Sequence, residues 1–188
     1  GSAVPIWTAY EVVTLWAYAN ELLPFFSWET NPVWFVALAV LVPVIREFHI
    51  YPIHRLLHWK PLYDSVHKVH HRNVNIGPWS GVSMHPVEHM LYFSGILIHW
   101  VIASHPIHAL FHIQHAVFSP AQGHCGFDRV VIAGDRAVRI GNYFHYLHHR
   151  YFECNYSGDG LPMFDMLFGT FHDGSDAAQT RMNAWLQE

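Results

Sequence analysis

The residues best suited to chemistry are three short clusters of histidine. One cluster has a spacing of four residues, and the other two share an uncommon five-residue pattern. The clusters are His54-x-x-x-His58, His67-x-x-His70-His71 and His145-x-x-His148-His149. Residues three or four apart lie on one face of an α-helix, so the rings within each cluster should point the same way. A packed core or a solvated helix face does not explain why the pattern recurs.

The number of imidazoles in the clusters indicates how many metal ions they serve. A single zinc ion takes three or four protein ligands, and the three clusters offer eight. Imidazole is a ligand for zinc, copper, iron and nickel. The sequence therefore predicts two ions that share one site.

Four apolar stretches are expected to form the helices that position the clusters. Crossing a bilayer takes roughly 20 helical residues, and none of the uninterrupted apolar runs is that long. Polar ends must therefore extend each helix, or the last pair enters as a shallow hairpin, and full spans are the preferred interpretation. Ser104-His105-Pro106 should end the third helix and start the fourth. The expected helices cover about residues 7–23, 32–58, 86–103 and 106–122.

Composition and charge placement favour a membrane protein. Apolar residues make up 52% of the chain and charged residues 13%. No Lys or Arg precedes residue 46, and none lies in 73–128, so a hairpin over 86–122 puts every basic residue on one side. The positive-inside rule makes that side cytoplasmic. The alternative is a soluble helical protein whose bases cluster by chance. The bases are Arg46, Arg55, Lys60, Lys68, Arg72, Arg129, Arg136, Arg139, Arg150 and Arg181.

The predicted fold is all-α, with a single domain over residues 1–188. About four apolar helices form a membrane-embedded bundle, and a cytoplasmic cap of short helices and loops carries the histidine-rich di-metal site. The cap comprises residues 59–85 and 123–188, where Gly134-Asp135 and Asp173-Gly174 signal turns. A net charge of −4 leaves no basic surface for nucleic acid.

The cysteines and the first two residues lead to two smaller expectations. Cys125 and Cys154 lie in polar segments and are expected to be reduced thiols on a cytoplasmic face. Gly1-Ser2 has the form of a cloning remnant, so a native signal or an extra helix could be missing before residue 3.

Further motifs occur in register with the histidine clusters. His85-Pro86-Val87-Glu88 fits a His-Pro-x-Glu pattern, and His124-Cys125-Gly126-Phe127-Asp128 is similar to His-Ser-Gly-Tyr-Asp. Asn155-Tyr156 and the segment Phe164 to Thr170 follow the third cluster. Together these motifs resemble the fatty acid hydroxylase and sterol desaturase superfamily of membrane di-iron enzymes, over roughly residues 45–175. Ser157 and Phe164 stand where the superfamily usually has Gly and Trp. These departures leave the subfamily open and do not affect the predicted metal site.

The resemblance implies a set of metal ligands and a catalytic carboxylate. His85 and His89 would either ligate metal or hold a ligand imidazole by a hydrogen bond. Glu88 would orient an imidazole or shuttle protons, the alternative being a helix cap or a structural ion pair. The implied ligands are His54, His58, His67, His70, His71, His145, His148, His149 and, as a ninth, His124, followed by His85 and His89.

The remaining histidines match no motif of the superfamily. His108, His112 and His115 share one face of an apolar helix, and ionisable groups at membrane depth usually face the interior. With His105, they are expected to line a cavity or form hydrogen bonds rather than bind metal. The structural histidines are His49, His99 and His172.

The resemblance also implies an activity. Two iron ions and O2 would oxidise an unactivated C–H bond of a lipid-like substrate such as a sterol or a fatty acyl chain, by hydroxylation or desaturation. Zinc could replace iron in purified protein. Electrons would come from an external donor such as cytochrome b5 or a ferredoxin with its reductase, because the sequence carries no flavin, haem or iron–sulfur signature.

Three other classes of protein fit the sequence less well. A soluble carboxylate-bridged di-iron bundle needs two Glu-x-x-His motifs, and the chain has none. A zinc hydrolase would show His-Glu-x-x-His, which is also missing from the sequence. A non-enzymatic membrane protein that binds or transports metal or haem is the strongest alternative. It needs neither the repeated His-x-x-His-His pattern nor the Phe-Gly-Thr ending at residues 168–170.

Overall fold

The computed structural model describes residues 1–139, 142–158 and 161–187, and most of them are helical. One π-helical turn, Tyr63–His67, lies between two short helices, and two 3-10 segments cover Pro78–Val82 and Ser94–Trp100. The α-helices are α1 (Ala3–Ala19), α2 (Pro32–Leu57), α3 (Lys60–Leu62), α4 (Lys68–His71), α5 (Pro86–Phe93), α6 (Pro106–Gly123), α7 (Asn142–Tyr151), α8 (Met163–Phe168) and α9 (Asp176–Trp185).

A two-stranded antiparallel hairpin corrects the all-α prediction. Strand β1 (Arg129–Ala133) pairs with β2 (Arg136–Arg139) in the cap, where only helices and loops were expected. Its cause is local, because β1 contains the β-branched run Val130-Val131-Ile132, which favours extended backbone. The predicted turn at Gly134-Asp135 joins the strands, and Gly134 adopts the left-handed φ of 51° that glycine permits.

Helix α2 is the longest element, with 26 residues, and begins as its sequence predicts. The Asn31 side chain accepts a hydrogen bond from the Trp34 amide, and Pro32 occupies the first helical turn. Among the described helices, α2 alone is long and apolar enough to cross a membrane. The predicted third helix divides into α5 and the 3-10 segment Ser94–Trp100, and four full spans are therefore not established.

The polarity of α2 and α6 is the reverse of that in a soluble bundle. Helix α2 buries Arg46 and Glu47, while Val33 and Val40 are 79% and 69% exposed. Helix α6 likewise buries His112 and exposes Phe118 on its outer surface. Soluble proteins rarely bury charged side chains while exposing apolar ones along the same helix. This arrangement suits a hydrocarbon environment, in which polar groups face the bundle interior.

The link between α1 and α2 meets the bend before α6 at one end of the bundle. The Ser104 amide donates to the Pro24 carbonyl at 3.2 Å, which ties the α1–α2 link to the bend before α6. The predicted start of a helix after Ser104-His105-Pro106 is confirmed, because the His105 side chain caps α6 by accepting from the Ile107 amide. The opposite end holds the C-termini of α2 and α6, and the histidine clusters lie at that end.

The 3-10 segment Pro78–Val82 packs tightly against the C-terminal part of α6. A side-chain carbon added at Gly81 would lie 2.5 Å from the Pro120 Cβ and 2.7 Å from the Pro120 carbonyl oxygen. The backbone at Pro120 cannot move aside without disturbing the adjacent histidine, His124. Gly81 is therefore required for the approach of this segment to α6.

Gly81→Ala is expected to destabilise the protein by about 1–3 kcal/mol, the typical cost of overpacking a tight contact. Denaturant unfolding of the metal-loaded protein measures the change. Gly77→Ala is the matched control, because a side-chain carbon at Gly77 meets nothing within 4 Å. Equal effects of the two substitutions would contradict the packing argument.

Candidate metal centre

Nine histidines from separate parts of the chain converge at the C-terminal ends of α2 and α6. They form two groups, and within each group the candidate ligand nitrogens all lie within 4.8 Å of one another. The two groups contain all nine histidines that formed the main predicted ligand set. The first group is His54, His58, His67, His71 and His148, and the second is His70, His124, His145 and His149.

Each His-x-x-His-His motif divides its histidines between the groups. His67 and His71 belong to the first group, and His70 belongs to the second. The third cluster shows the opposite division, with His148 in the first group and its two companions in the second. Helical geometry explains the pattern, because residues four apart project about 40° from each other, whereas the residue at i+3 projects about 60° to the other side.

Backbone carbonyls fix the orientation of several rings. The Nδ1 atoms of His54, His148 and His124 lie 2.8, 2.6 and 2.7 Å from the carbonyl oxygens of residues 156, 154 and 120, respectively. A carbonyl can only accept a hydrogen bond, so each of these rings carries its proton on Nδ1. The Nε2 lone pair of each ring is consequently free to bind a metal ion.

The Nε2 atoms approach one another closely in the first group. His67 and His71 are 3.0 Å apart, His71 and His148 are 3.1 Å apart, and His58 lies 3.2 Å from His148, all measured between Nε2 atoms. A hydrogen on one Nε2 atom can satisfy only one of these contacts. In the remaining contacts the lone pairs of two nitrogens face each other. Ligands 2.0–2.1 Å from one metal lie about 2.9 Å apart in octahedral and about 3.4 Å apart in tetrahedral geometry. The observed distances fall in this range.

The second group is centred on His149. Its Nε2 lies 3.1 Å from those of His70 and His124, and 3.2 Å from that of His145. His124 has its proton on Nδ1, as shown above, so a hydrogen on the His149 nitrogen could serve at most one of these contacts. A cation at the centre of each group would relieve the repulsion, and the donor set therefore fits two metal ions.

Burial keeps these imidazoles neutral. Burial first and neighbouring imidazoles second lower the pKa of His58 to about 2, of His149 to about 3 and of His124 to about 4. Burial also places the pKa values of His70 and His148 well below the usual value. At neutral pH the rings are unprotonated at one nitrogen, which is the form that binds metal.

The two groups are adjacent. The ring centroids of His71 and His149, which belong to different groups, are 4.7 Å apart. Those of His148 and His149 are 5.7 Å apart. The three clusters therefore form one site with two compartments, and not separate sites.

Glu88 contacts the first group through His67. One of its carboxylate oxygens lies 2.8 Å from the His67 Nδ1, and both side chains are almost completely buried. Burial raises the pKa of Glu88 well above its usual value. In its ionised form the carboxylate can only accept, and it would then direct the His67 proton to Nδ1 and leave Nε2 for metal. The structure thus places Glu88 where it can orient a ligand.

His85 and His89 lie outside both groups. The His85 Nδ1 caps α5 by accepting from the Val87 amide at 3.2 Å. The two ring nitrogens of His89 are 2.9 Å from the Ser2 hydroxyl and 3.2 Å from the Val82 carbonyl. In this arrangement both histidines serve hydrogen bonds in the surrounding helices.

The histidines without a family motif also lie outside both groups. His108 donates from Nε2 to the Phe35 carbonyl at 2.9 Å, and His112 lies 3.2 Å from His99, measured between Nδ1 and Nε2. His49 lies 3.0 Å from the Ser94 hydroxyl. The contacts of His108 and His112 fit the expectation of hydrogen-bonded residues in an apolar helix, and that of His49 fits its expected structural role.

Sequence reasoning assigned no role to Asn155 and Asp165, which hold the segment behind the site. Asn155 has a left-handed φ of 52°. Its side-chain NH2 group donates to the His172 carbonyl at 2.8 Å, and its side-chain oxygen accepts from the His172 amide at 2.8 Å. Asp165 accepts from the amides of Tyr156 and Ser157 at 2.8 Å. Because the Tyr156 carbonyl accepts from His54, this network fixes a candidate ligand. The Asn-Tyr and Phe-Asp motifs were the only sequence signal for it.

A narrow cavity of about 40 Å³ adjoins both groups. Apolar side chains from α2 form one wall, and histidines of both groups with Glu88 form another. Small reactants could therefore reach the candidate metal ligands from an apolar side. The lining residues are Ile50, Ile53, His54, Leu57, His67, His70, Met84, Glu88, Tyr92, Pro120, Gly123, His124, His145 and Gly158.

Comparison with known proteins connects this geometry to named relatives. Methylsterol monooxygenase 1 of Gallus gallus is 31% identical over 150 residues, which are 77% of this chain and 50% of that protein. Delta(7)-sterol 5(6)-desaturase ERG3B of Gibberella zeae is 31% identical over 65% of this chain and 38% of that protein. Very-long-chain aldehyde decarbonylase CER1 of Arabidopsis thaliana is 29% identical over 79% of this chain and 25% of that protein.

The chain thus spans half or less of the length of these curated relatives. No solved structure matches it. The family model described as fatty acid hydroxylase matches residues 39–170, a range that includes all nine clustered histidines. The chain belongs to the fatty acid hydroxylase family.

Proposed function

We propose that this chain is a membrane di-iron oxygenase that uses O2 and external electrons to hydroxylate or desaturate a C–H bond of a lipid-like substrate. The observation that carries the proposal is the convergence of nine buried or partly buried imidazoles in two adjacent groups of five and four. Five plus four nitrogen ligands suit two transition-metal ions, with room for exogenous ligands. The site residues would be these nine histidines, with Glu88 as their carboxylate partner.

Iron is the metal that the proposed chemistry requires. Bound iron would supply the redox chemistry that activates O2, which no side chain can provide. Imidazole does not discriminate strongly between iron and zinc, so zinc could occupy the same nitrogens in purified protein.

The protein's own residues would position the reactants and keep water away. Carbonyl-anchored rings present fixed Nε2 lone pairs, so little reorganisation is needed when the metals bind. Ile50, Ile53 and Leu57 give the cavity an apolar wall beside these rings. An apolar wall favours a hydrocarbon segment of a substrate over water and limits unproductive turnover.

The relatives indicate the class of substrate. Their names mention sterols and very-long-chain aldehydes, which are all largely apolar molecules. We propose a substrate of the same class, either a sterol or a long acyl or aldehyde chain. The electron donor would be cytochrome b5 or a ferredoxin with its reductase. A non-enzymatic metal or haem carrier is less favoured, because it would not need an apolar cavity beside its ligands.

The proposed membrane topology places the histidine site on the cytoplasmic side. The helical bends at Pro24 and Ser104 lie together and are remote in sequence from every Lys and Arg. The candidate ligands lie at the other end of the helices, and eight of the nine are within the two segments, 46–72 and 129–181, that contain all ten basic residues. The positive-inside rule then orients the molecule.

Substitution of one ligand in each group tests the metal centre and the activity together. His70→Ala and His148→Ala should each lower metal content from about two ions per chain and abolish O2-dependent product formation, because the groups share a centre. Metal analysis and oxygen uptake coupled to oxidised lipid measure the two effects.

The matched control is His85→Asn, since asparagine can keep the helix cap. This variant should retain both metals and its turnover. The assignment would be wrong if folded His70→Ala and His148→Ala proteins kept two metals and full turnover. Loss of metal in His85→Asn would show that the ligand set extends beyond the two groups.

Substitution of Glu88 tests its contact with His67. Glu88→Ala removes the acceptor that orients a ligand and should weaken metal affinity by about 10–100-fold. Glu88→Gln keeps a carbonyl oxygen that can accept from the His67 Nδ1 and should recover part of the loss. Metal-competition titrations distinguish these outcomes, and equal affinities in the three proteins would exclude an orienting role.

Accessibility labelling tests the topology. In a Cys125→Ser background, Thr180→Cys should react with a membrane-impermeant reagent from the cytoplasmic side. Val101→Cys, at a position 79% exposed near the opposite bend, should react only from the other side. Labelling of both positions from the same side would refute the proposed orientation.

A further inference from the structure

Helix α8 presents an apolar surface to its surroundings. Its six residues, Met163–Phe168, include one polar side chain, Asp165, which is completely buried. Met166, Leu167 and Phe168 are 64%, 70% and 57% exposed. Apolar side chains that are exposed side by side mark a contact with another molecule or with a membrane.

The hydrogen bonds of Asp165 fix which side of α8 faces outward. Its carboxylate accepts from the amides of Tyr156 and Ser157 at 2.8 Å and from the Thr170 hydroxyl at 2.6 Å. All three partners lie in the segment behind the metal centre. Rotation of α8 to bury its apolar side chains would leave the carboxylate buried without these partners, which is strongly unfavourable.

Helix α8 packs against the last part of α2. The Phe164 ring lies edge-on to the Phe48 ring, with centroids 4.8 Å apart, and stacks on Tyr51 at 5.1 Å. The Phe168 ring stacks on Tyr51 at 5.6 Å. The Arg55 guanidinium carbon lies 6.0 Å from the centroid of the Phe168 ring. Helix α8 therefore lies alongside the interval of α2 from Phe48 to Arg55.

The hydrocarbon core of a membrane would end within the same interval. Helix α2 has 26 residues and is about 39 Å long, which exceeds the hydrocarbon thickness of about 30 Å. Phe48 is apolar and 58% exposed, whereas Arg55 is charged and exposed. An exposed guanidinium is disfavoured in hydrocarbon and favoured at the interface. The boundary between hydrocarbon and headgroups therefore lies between these two residues, beside α8.

A lipid leaflet fits the exposed side of α8 because this side continues the apolar surface of α2. Helices with an apolar outer side lie in the plane of the interface when they are at this depth. The polarity is specific to α8 and is not a general property of the cap, since the middle of α9 exposes Thr180, Arg181 and Asn183.

Building on the proposed membrane placement of α2, we propose that Met166, Leu167 and Phe168 insert into the cytoplasmic leaflet at the boundary between hydrocarbon and headgroups. Helix α8 is then a second membrane contact beside α2. The same interval of α2 supplies Ile50 and Ile53 to the wall of the cavity at the metal centre. The cavity consequently lies at the depth of this boundary, where a lipid-like substrate reaches it from the leaflet.

Depth-dependent fluorescence quenching tests this surface in the full chain, loaded with zinc and reconstituted in phosphatidylcholine nanodiscs. A fluorescent label is attached at Leu167→Cys in a Cys125→Ser background, and Cys154 stays unlabelled because it is 2% exposed. The label should lose most of its fluorescence to lipids that carry a nitroxide close to the headgroup, and less to lipids that carry it at the chain end. Iodide in the water should have little effect.

Two reference positions separate this proposal from the membrane placement of α2. Val40→Cys, at a position 69% exposed in the apolar part of α2, should be quenched more by the chain-end nitroxide. Thr180→Cys on α9 should be quenched by iodide and by neither lipid. Lack of lipid quenching at Val40 would refute the membrane placement and this proposal together. Lack of lipid quenching at Leu167 alone would refute only the insertion of α8.

The way in which the Leu167 label escapes lipid identifies the alternative. Iodide quenching equal to that at Thr180 would overturn the proposal by placing α8 in water. Protection from both lipid and iodide would also overturn it, because a second protein or a second copy of this chain would then cover α8. Met166→Cys, on the same side of α8, provides the same measurement if Leu167→Cys fails to fold, and the zinc content of each labelled protein verifies its fold.

Discussion

The mutual repulsion of imidazole lone pairs is the constraint on which the rest of the structure depends. Nε2 atoms brought within 3.0–3.2 Å of one another cannot all be satisfied by hydrogens. The fold must therefore supply enough packing and hydrogen bonding to hold them together before any ion is present. Carbonyl acceptors behind the rings, the Glu88 carboxylate and the Asp165 network perform this task, and most of them are nearly or fully buried.

Helical spacing made the candidate ligands predictable, because it depends on local geometry only. His67, His70 and His71 had to project from one side of a helix whatever the rest of the fold. Which imidazole joins which group depends on how that helix packs against α2 and α7, and a single sequence does not contain this information. The β1–β2 hairpin was missed although its local signals were present, because the cap was interpreted from its polarity.

The supporting residues were harder to recognise for a different reason. Asn155 and Asp165 act mainly through backbone groups of residues 144, 156, 157 and 172, although the Thr170 hydroxyl also donates to Asp165, so most of their partners carry no distinctive side-chain type. His112 is hydrogen-bonded, as its place on the apolar helix predicts, and its partner is His99, for which the sequence predicts only a structural role. Polar residues in apolar helices reveal their role only when both hydrogen-bond partners are known.

The division of each His-x-x-His-His motif between the two groups has a structural consequence. A single turn of helix contributes ligands to both compartments, so any displacement of that turn changes both compartments at once. Unwinding of α4 or α7 would therefore remove ligands from both compartments together.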